Sequence, residues 1–196
     1  MHIMKRRILY SLLMTATLGL SSCESFLSEN PKDQITEEQA YQNSTLLYLN
    51  TVASLYTQVG ANGGGAGLQG TDRGLYDLNT FTTDEAMLPT RGGDWYDGGQ
   101  YREIYMHTWT SQTSVIKGAW STASEAIGTC NANLKVVESS DFLSDEQMSL
   151  YTSEIRGIRA FWIYKMMDDW GNIPLVTDYA DKELPACQPR QAVFDW

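Results

Sequence analysis

Two groups of side chains in this sequence have the types and spacing for chemistry. The first is Cys23, preceded by Leu20-Ser21-Ser22. Leu-Ser-Ser-Cys has the pattern of a bacterial lipobox, where a peptidase cuts before a Cys whose sulfur carries a diacylglyceryl group. The second is the run Gly92-Gly93-Asp94-Trp95-Tyr96-Asp97-Gly98-Gly99, with Tyr101 close behind. A sugar ring presents apolar C–H faces and a rim of hydroxyls. An aromatic platform flanked by acceptors is therefore the chemistry that would hold one. Trp95, Tyr96 and Tyr101 offer the platform, and Asp94 and Asp97 the acceptors. The same rings could instead pin the loop onto neighbouring helices, since Trp and Tyr are commonly part-buried.

Other constellations are weaker. Asp84 and Glu85 are paired carboxylates, but glycoside hydrolysis sets two carboxyls about 5 to 10 Å apart across a sugar, and adjacency does not supply that separation. Asp72, Asp77, Asp94 and Asp97 offer further acids, in stretches rich in turn formers. Gly65, Gly67 and Gly70 match G-x-G-x-x-G, yet a helix precedes them and a Thr-Asp-Arg-Gly turn follows. That is the reverse of the strand-then-helix context a dinucleotide site needs. His107 is the sole His after the leader, and Cys130 and Cys187 have no C-x-x-C spacing, so no transition-metal site is expected; loop carboxylates leave calcium open. No cofactor is implied. With 24 acidic and 14 basic residues the net charge is −10, which repels phosphate backbones, and nucleic acid is not an expected partner.

The elements that must position these residues begin with the leader. Lys5, Arg6 and Arg7 precede an uncharged run from Ile8 to Leu20, the order of a secretory signal and too short for a membrane span of about 20 residues. Residues 1–22 are expected to be removed as a lipoprotein signal peptide, with residues 23–35 left as a lipid-anchored tether containing Pro31. Three basic residues leave with the leader, so the remainder is more acidic than the whole.

Residues 36–196 are expected to fold as one mainly α domain. Thr36 and Gln39 fit a capping box, and Leu46, Leu49, Ala53 and Tyr56 trace one stripe of a helix ending at Gly60. Residues 60–74 read as a glycine-dense loop and 75–110 as irregular, aromatic-rich loops. A long helix follows, with Ile116, Trp120, Ala123, Ile127, Cys130, Leu134 and Val137 on one face. Ser144 and Gln147 make a second capping box, opening a helix with Met148, Tyr151, Ile155, Ile158, Trp162 and Met166 on its stripe. Gly171 and Pro174 stop it. Two such helices joined by a short connection predict an antiparallel pair, the unit of tetratricopeptide-like arrays, although the strict repeat signature is absent. After a brief extended stretch at 175–177, Pro189 to Phe194 predicts the entry to another helix, read here as a sign of an N-terminal portion of a longer protein.

Several of these segments together resemble the RagB/SusD family of outer-membrane glycan-binding lipoproteins. They are Cys23 with Phe26-Leu27 and Pro31, Thr83-Asp84-Glu85, Trp95 to Gly99 leading to His107-Thr108-Trp109-Thr110, then Trp120 and Asn131 to Leu134. The most specific are Glu154 to Trp162, similar to the family's Glu-x-x-x-x-Arg-Ala helix, and Trp170-Gly171-Asn172-Ile173-Pro174-Leu175-Val176, similar to its Phe/Trp-Gly-x-x-Pro-Leu-Val turn. Pro189-Arg190 and Val193 to Asp195 resemble the opening of its next helix. One departure is the single acid in Glu24 to Leu27, where surface-exported members often carry an acidic run.

The resemblance implies a tetratricopeptide-like helical scaffold with long loops that bind oligosaccharide. It also implies a SusC-like TonB-dependent transporter as partner, no enzymatic activity, and a lipid anchor on an outer membrane, facing outward. Arg159, Trp170, Gly171 and Pro174 are read as structural, with Arg159 facing an Asp or Glu on a neighbouring helix. Two other readings stay open: a lipid-anchored adaptor binding a protein or peptide in a concave groove, and an exported glycosidase.

Overall fold

A computed structural model describes residues 36–60, 74–94, 96–179 and 185–196. The leader, Cys23 with its tether, the glycines of the G-x-G-x-x-G match and Trp95 lie outside the described residues. Contacts divide the chain into Met1–Gln39 and Ala40–Trp196. In the first unit the capping box forms: the Gln39 amide donates to Thr36 Oγ1 at 3.3 Å, and the Thr36 amide to Gln39 Oε1 at 3.0 Å. This opens the short helix α1, Glu37–Ala40.

In the larger unit α2 (Ser44–Tyr48) starts where Asn43 Oδ1 accepts from the Leu46 amide. It runs through a π-helical turn, Leu49–Ala53, into α3, Ser54–Gly60. The expected stripe is corrected here. Leu49 and Tyr56 are about half exposed, while Leu47, Thr51, Val52 and Leu55 are buried. The wider π turn adds a residue to the helical repeat and rotates the buried face, which a regular 3.6-residue period does not anticipate. Asn133 Nδ2 donates to the Thr51 carbonyl at 2.7 Å, so the turn is satisfied from a neighbouring helix.

Helix α4 (Leu75–Phe81) and α5 (Gln100–Tyr105, after a 3₁₀ turn at Asp97–Gly99) lie within the segment expected to be irregular. Each spans at most two turns, too short to display a period.

The scaffold is the pair α6 (Ser114–Glu138) and α7 (Asp145–Trp170), which pack against each other along their lengths. Glu138 meets Arg156, Asn131 meets Arg159 and Trp120 meets Trp170, partners that advance in opposite directions as an antiparallel hairpin requires. The stripes read from the sequence form its seam. Ala123, Ile127, Cys130, Leu134 and Val137 of α6 are buried, as are Tyr151, Ile155, Ile158, Trp162 and Met166 of α7. Ser144 and Gln147 form the reciprocal cap of α7. Glu154 on α7 accepts from Tyr48 and Tyr56, tying α2 and α3 to the hairpin.

Gly171 ends α7 at φ 74°, a conformation a side chain would strain. The chain then forms the short antiparallel pair β1 (Ile173–Pro174) and β2 (Cys187–Gln188), and enters α8 (Arg190–Asp195) behind Pro189. Val193 of α8 is buried. The architecture is mainly helical, as expected. No helix among the described residues is long and apolar enough to cross a membrane.

Candidate functional site

Where α4 and the end of α7 approach the segment leading into α6, they leave a cleft of about 540 Å3. Trp109 and Trp170 supply its aromatic surface, and Asn79, Thr82, Asp168 and Asp169 much of its polar surface. The volume lies within the range of about 300 to 1,000 Å3 usual for ligand sites. Local chemistry sets each wall. Trp170 is the last residue of α7, held edge-on to Trp120 with ring centroids 5.2 Å apart. Trp109 is 39% exposed and stacks at a tilt on His107, centroids 5.2 Å apart. His107 sits at φ 56°, with Nε2 donating to the Thr82 carbonyl at 2.8 Å, which fixes the Trp109 segment to the end of α4.

The two carboxylates differ. Asp168 is 3.6 Å from Arg190 and 3.9 Å from Lys165. Asp169 accepts from Asn79 Nδ2 at 3.4 Å through Oδ1, while its buried Oδ2 has no hydrogen-bond partner among the described residues. Burial pushes the Asp169 carboxyl above the ordinary carboxylate range, Asp168 adding to the rise and Lys165 and Asn79 opposing it. Ser111, Ile116 and Trp170 also line a second cavity of about 390 Å3, together with Lys117, Trp120 and Ser121.

The residues singled out in the sequence fall elsewhere. Tyr96 is 58% exposed, and its hydroxyl lies 3.7 Å from where a Cβ on Gly99 would stand. Asp97, Gly98 and Gly99 follow at φ 45°, 67° and 86°, a left-handed run that the two glycines allow. Asp94 is exposed, its backbone paired with Arg91 in a tight turn. Tyr101 is only 3% exposed, its ring edge-on to Phe81 and its hydroxyl donating to Asp77 at 3.3 Å. Its ring is therefore in the core and is not an exposed platform face. The sequence offered it as a platform because an aromatic in a glycine-rich stretch looks loop-borne, whereas it lies on α5 with its ring in the core.

Arg159 needs a similar correction. It is buried, and its Nη1 donates to Asn131 Oδ1 at 2.7 Å and to the Thr177 carbonyl at 3.1 Å, an amide and a backbone group where a carboxylate was expected. The guanidinium also lies over the Trp196 ring, 5.1 Å from its centroid, and burial lowers its pKa. With Asn131 Nδ2 donating to the Val176 carbonyl, it clamps α6, α7 and the strand exit together. Asp84 and Glu85 are exposed in a turn after α4. Cys130 is fully buried, which pushes its thiol to about 12, and Cys187 is exposed; both are free. Among the described residues no group of three or more His, Cys, Asp or Glu gathers as a metal site would.

Sequence reasoning missed the cleft. In the sequence Trp109 stands out only as one of several loop aromatics and in the family pattern, and Trp170 only as structure. The available signal was that Trp109, Trp120 and Trp170 flank the ends of the two longest helices, where an antiparallel hairpin brings them together.

A helical-hairpin protein with a tryptophan-walled cleft is the class that fold and site define. No protein-family model and no curated protein sequence matches the chain. Solved structures do. Surface glycan-binding protein A from Bacteroides uniformis superposes with a TM-score of 0.59 at 13% identity, over 79% of this chain and 32% of that one. A SusD superfamily protein from Parabacteroides distasonis gives 0.58 at 16%, over 83% and 32%. Surface glycan-binding protein A from Bacteroides fluxus gives 0.53 at 15%, over 83% and 31%. The chain is SusD-like in fold, with the tetratricopeptide-like helical arrangement of those proteins, and spans about a third of their length.

Proposed function

We propose that the chain is part of a cell-surface lipoprotein that captures oligosaccharide and delivers it to a SusC-like TonB-dependent transporter, held to the outer membrane by lipid on Cys23. The observation that carries this reading is the cleft between Trp109 and Trp170. It combines indole faces for the C–H surface of a sugar with amide, hydroxyl and carboxylate groups for its hydroxyls. The fold supports the reading, because two of the superposed proteins are surface glycan-binding proteins. The lipobox at Leu20 to Cys23 supplies the anchor, and Tyr96 with Asp94 and Asp97 offers a secondary contact on an exposed loop.

The role is binding without turnover. Titration of the full protein against plant, host and microbial glycans by affinity electrophoresis and calorimetry is expected to give saturable binding that Trp109→Ala abolishes, with no shortened product. Release of product would replace the capture role with hydrolysis. No binding across the panel would move the ligand to a protein or peptide.

A further inference from the structure

Resting on the glycan reading, we propose that the cleft is charge-selective: the sugar between Trp109 and Trp170 is neutral or amino-bearing, uronic-acid and sulfated sugars are excluded there, and the chain continues past Trp170 into the cavity beside Lys117. Among the described residues the charged side chains lining the cleft are Asp168 and Asp169, and no cation lines it. Arg190 and Lys165 meet Asp168 without being part of the described lining, so a bound anion would face the carboxylates first. Like-charge opposition of this kind disfavours an anionic ligand and weakens with salt. A hydroxyl or ammonium hydrogen, by contrast, would find an acceptor in the Asp168 carboxylate, which is 39% exposed on the cleft.

The second cavity differs in sign. Lys117 is the charged residue on its lining, and it shares Ser111, Ile116 and the Trp170 indole with the cleft. A ligand occupying both spaces is at least two sugar residues long. An acidic substituent is tolerated beside Lys117 and not beside Asp169.

Calorimetry of the full protein with matched tetrasaccharides tests this: neutral ones built of glucose, mannose or xylose, an amino-bearing chitosan, an oligogalacturonate and a sulfated galactan. At least one neutral or amino-bearing series is expected to bind, with the uniformly anionic ones at least about tenfold weaker. Asp168→Asn with Asp169→Asn is expected to narrow that ratio, read as anionic against neutral affinity within the same variant. A measurement independent of variants is salt: added NaCl is expected to improve anionic affinity by screening the repulsion and leave neutral affinity unchanged. Equal or tighter binding of the oligogalacturonate, or affinity for it that falls with salt, overturns charge selection while the glycan reading stands. Failure of every series to bind overturns both.

Discussion

Along α6 and α7 the buried groups are mostly aliphatic and aromatic carbon, whereas from Gly74 to Thr113 a smaller buried set, Leu75, Leu78, Tyr101 and Ile104, is supplemented by side-chain hydrogen bonds within the segment. Thr113 Oγ1 donates to Glu103 at 2.9 Å and accepts from the Thr110 amide at 3.0 Å; His107 holds the Thr82 carbonyl. Asp97 and His107 take left-handed backbone conformations there. The hairpin derives its stability from area removed from water, and the segment derives its shape from directional bonds. The cleft lies where the two meet, with Trp170 from the hairpin and Trp109 from the segment. On the proposed reading, one wall set by the packed hairpin and one set by hydrogen bonds suit a ligand that needs both stacking and hydrogen bonding.

If that contrast is right, the largest losses of stability come from the hairpin. Trp162→Ala, at a fully buried position, is expected to cost about 3 to 5 kcal/mol in urea unfolding. Arg159→Met is expected to follow at about 2 kcal/mol, because it leaves Asn131 Oδ1 and the Thr177 carbonyl without their charged donor. Its neighbour Arg156 gives the control: its ion pair with Glu138 is solvent-exposed, and Arg156→Ala is expected to cost under about 1 kcal/mol. Equal losses from the two arginines would refute the clamp.

Ser144→Ala, which removes half of the α7 capping box, is expected to cost about 1 kcal/mol. Trp109→Ala reverses the pattern, with a change in stability under about 1 kcal/mol and loss of glycan binding. A variant that unfolds along with losing its ligand would make Trp109 a core residue and erase the contrast between the two regions.

The same contrast explains what could be read before any coordinates. Both long helices, the Ser144 cap and the antiparallel pairing were legible, because 25 and 26 residues repeat a period often enough to fix a face. The stripe of α2 and α3 was misjudged because one π turn shifts the register within a short element. Tyr101 was misjudged because α5 has six residues and shows no period. The cleft was missed because no local spacing rule joins Trp109 to Trp170; only the antiparallel pairing of the two long helices relates them. Arg159 was recognised as structural, but its partners were not, because an amide and a carbonyl leave no charge pattern to find.

The smallest effect concerns Asp169, where the wall set by packing meets the one set by hydrogen bonds. Its carboxyl is raised above the ordinary value chiefly by burial, so the folded state binds the proton more tightly than the unfolded chain does. Its contribution to stability is then fully present below the unfolded value of about 3.9 and is lost as pH rises through the folded value. Asp169→Asn keeps the shape of the neutral acid and does not titrate. The stability of the unsubstituted protein, measured by urea unfolding, is therefore expected to fall relative to Asp169→Asn as pH is raised from below 3.9 toward neutrality. A difference independent of pH would mean that water or a bound partner satisfies Oδ2 in solution. In that case the acidic wall would be solvated, with less power to tell one sugar from another.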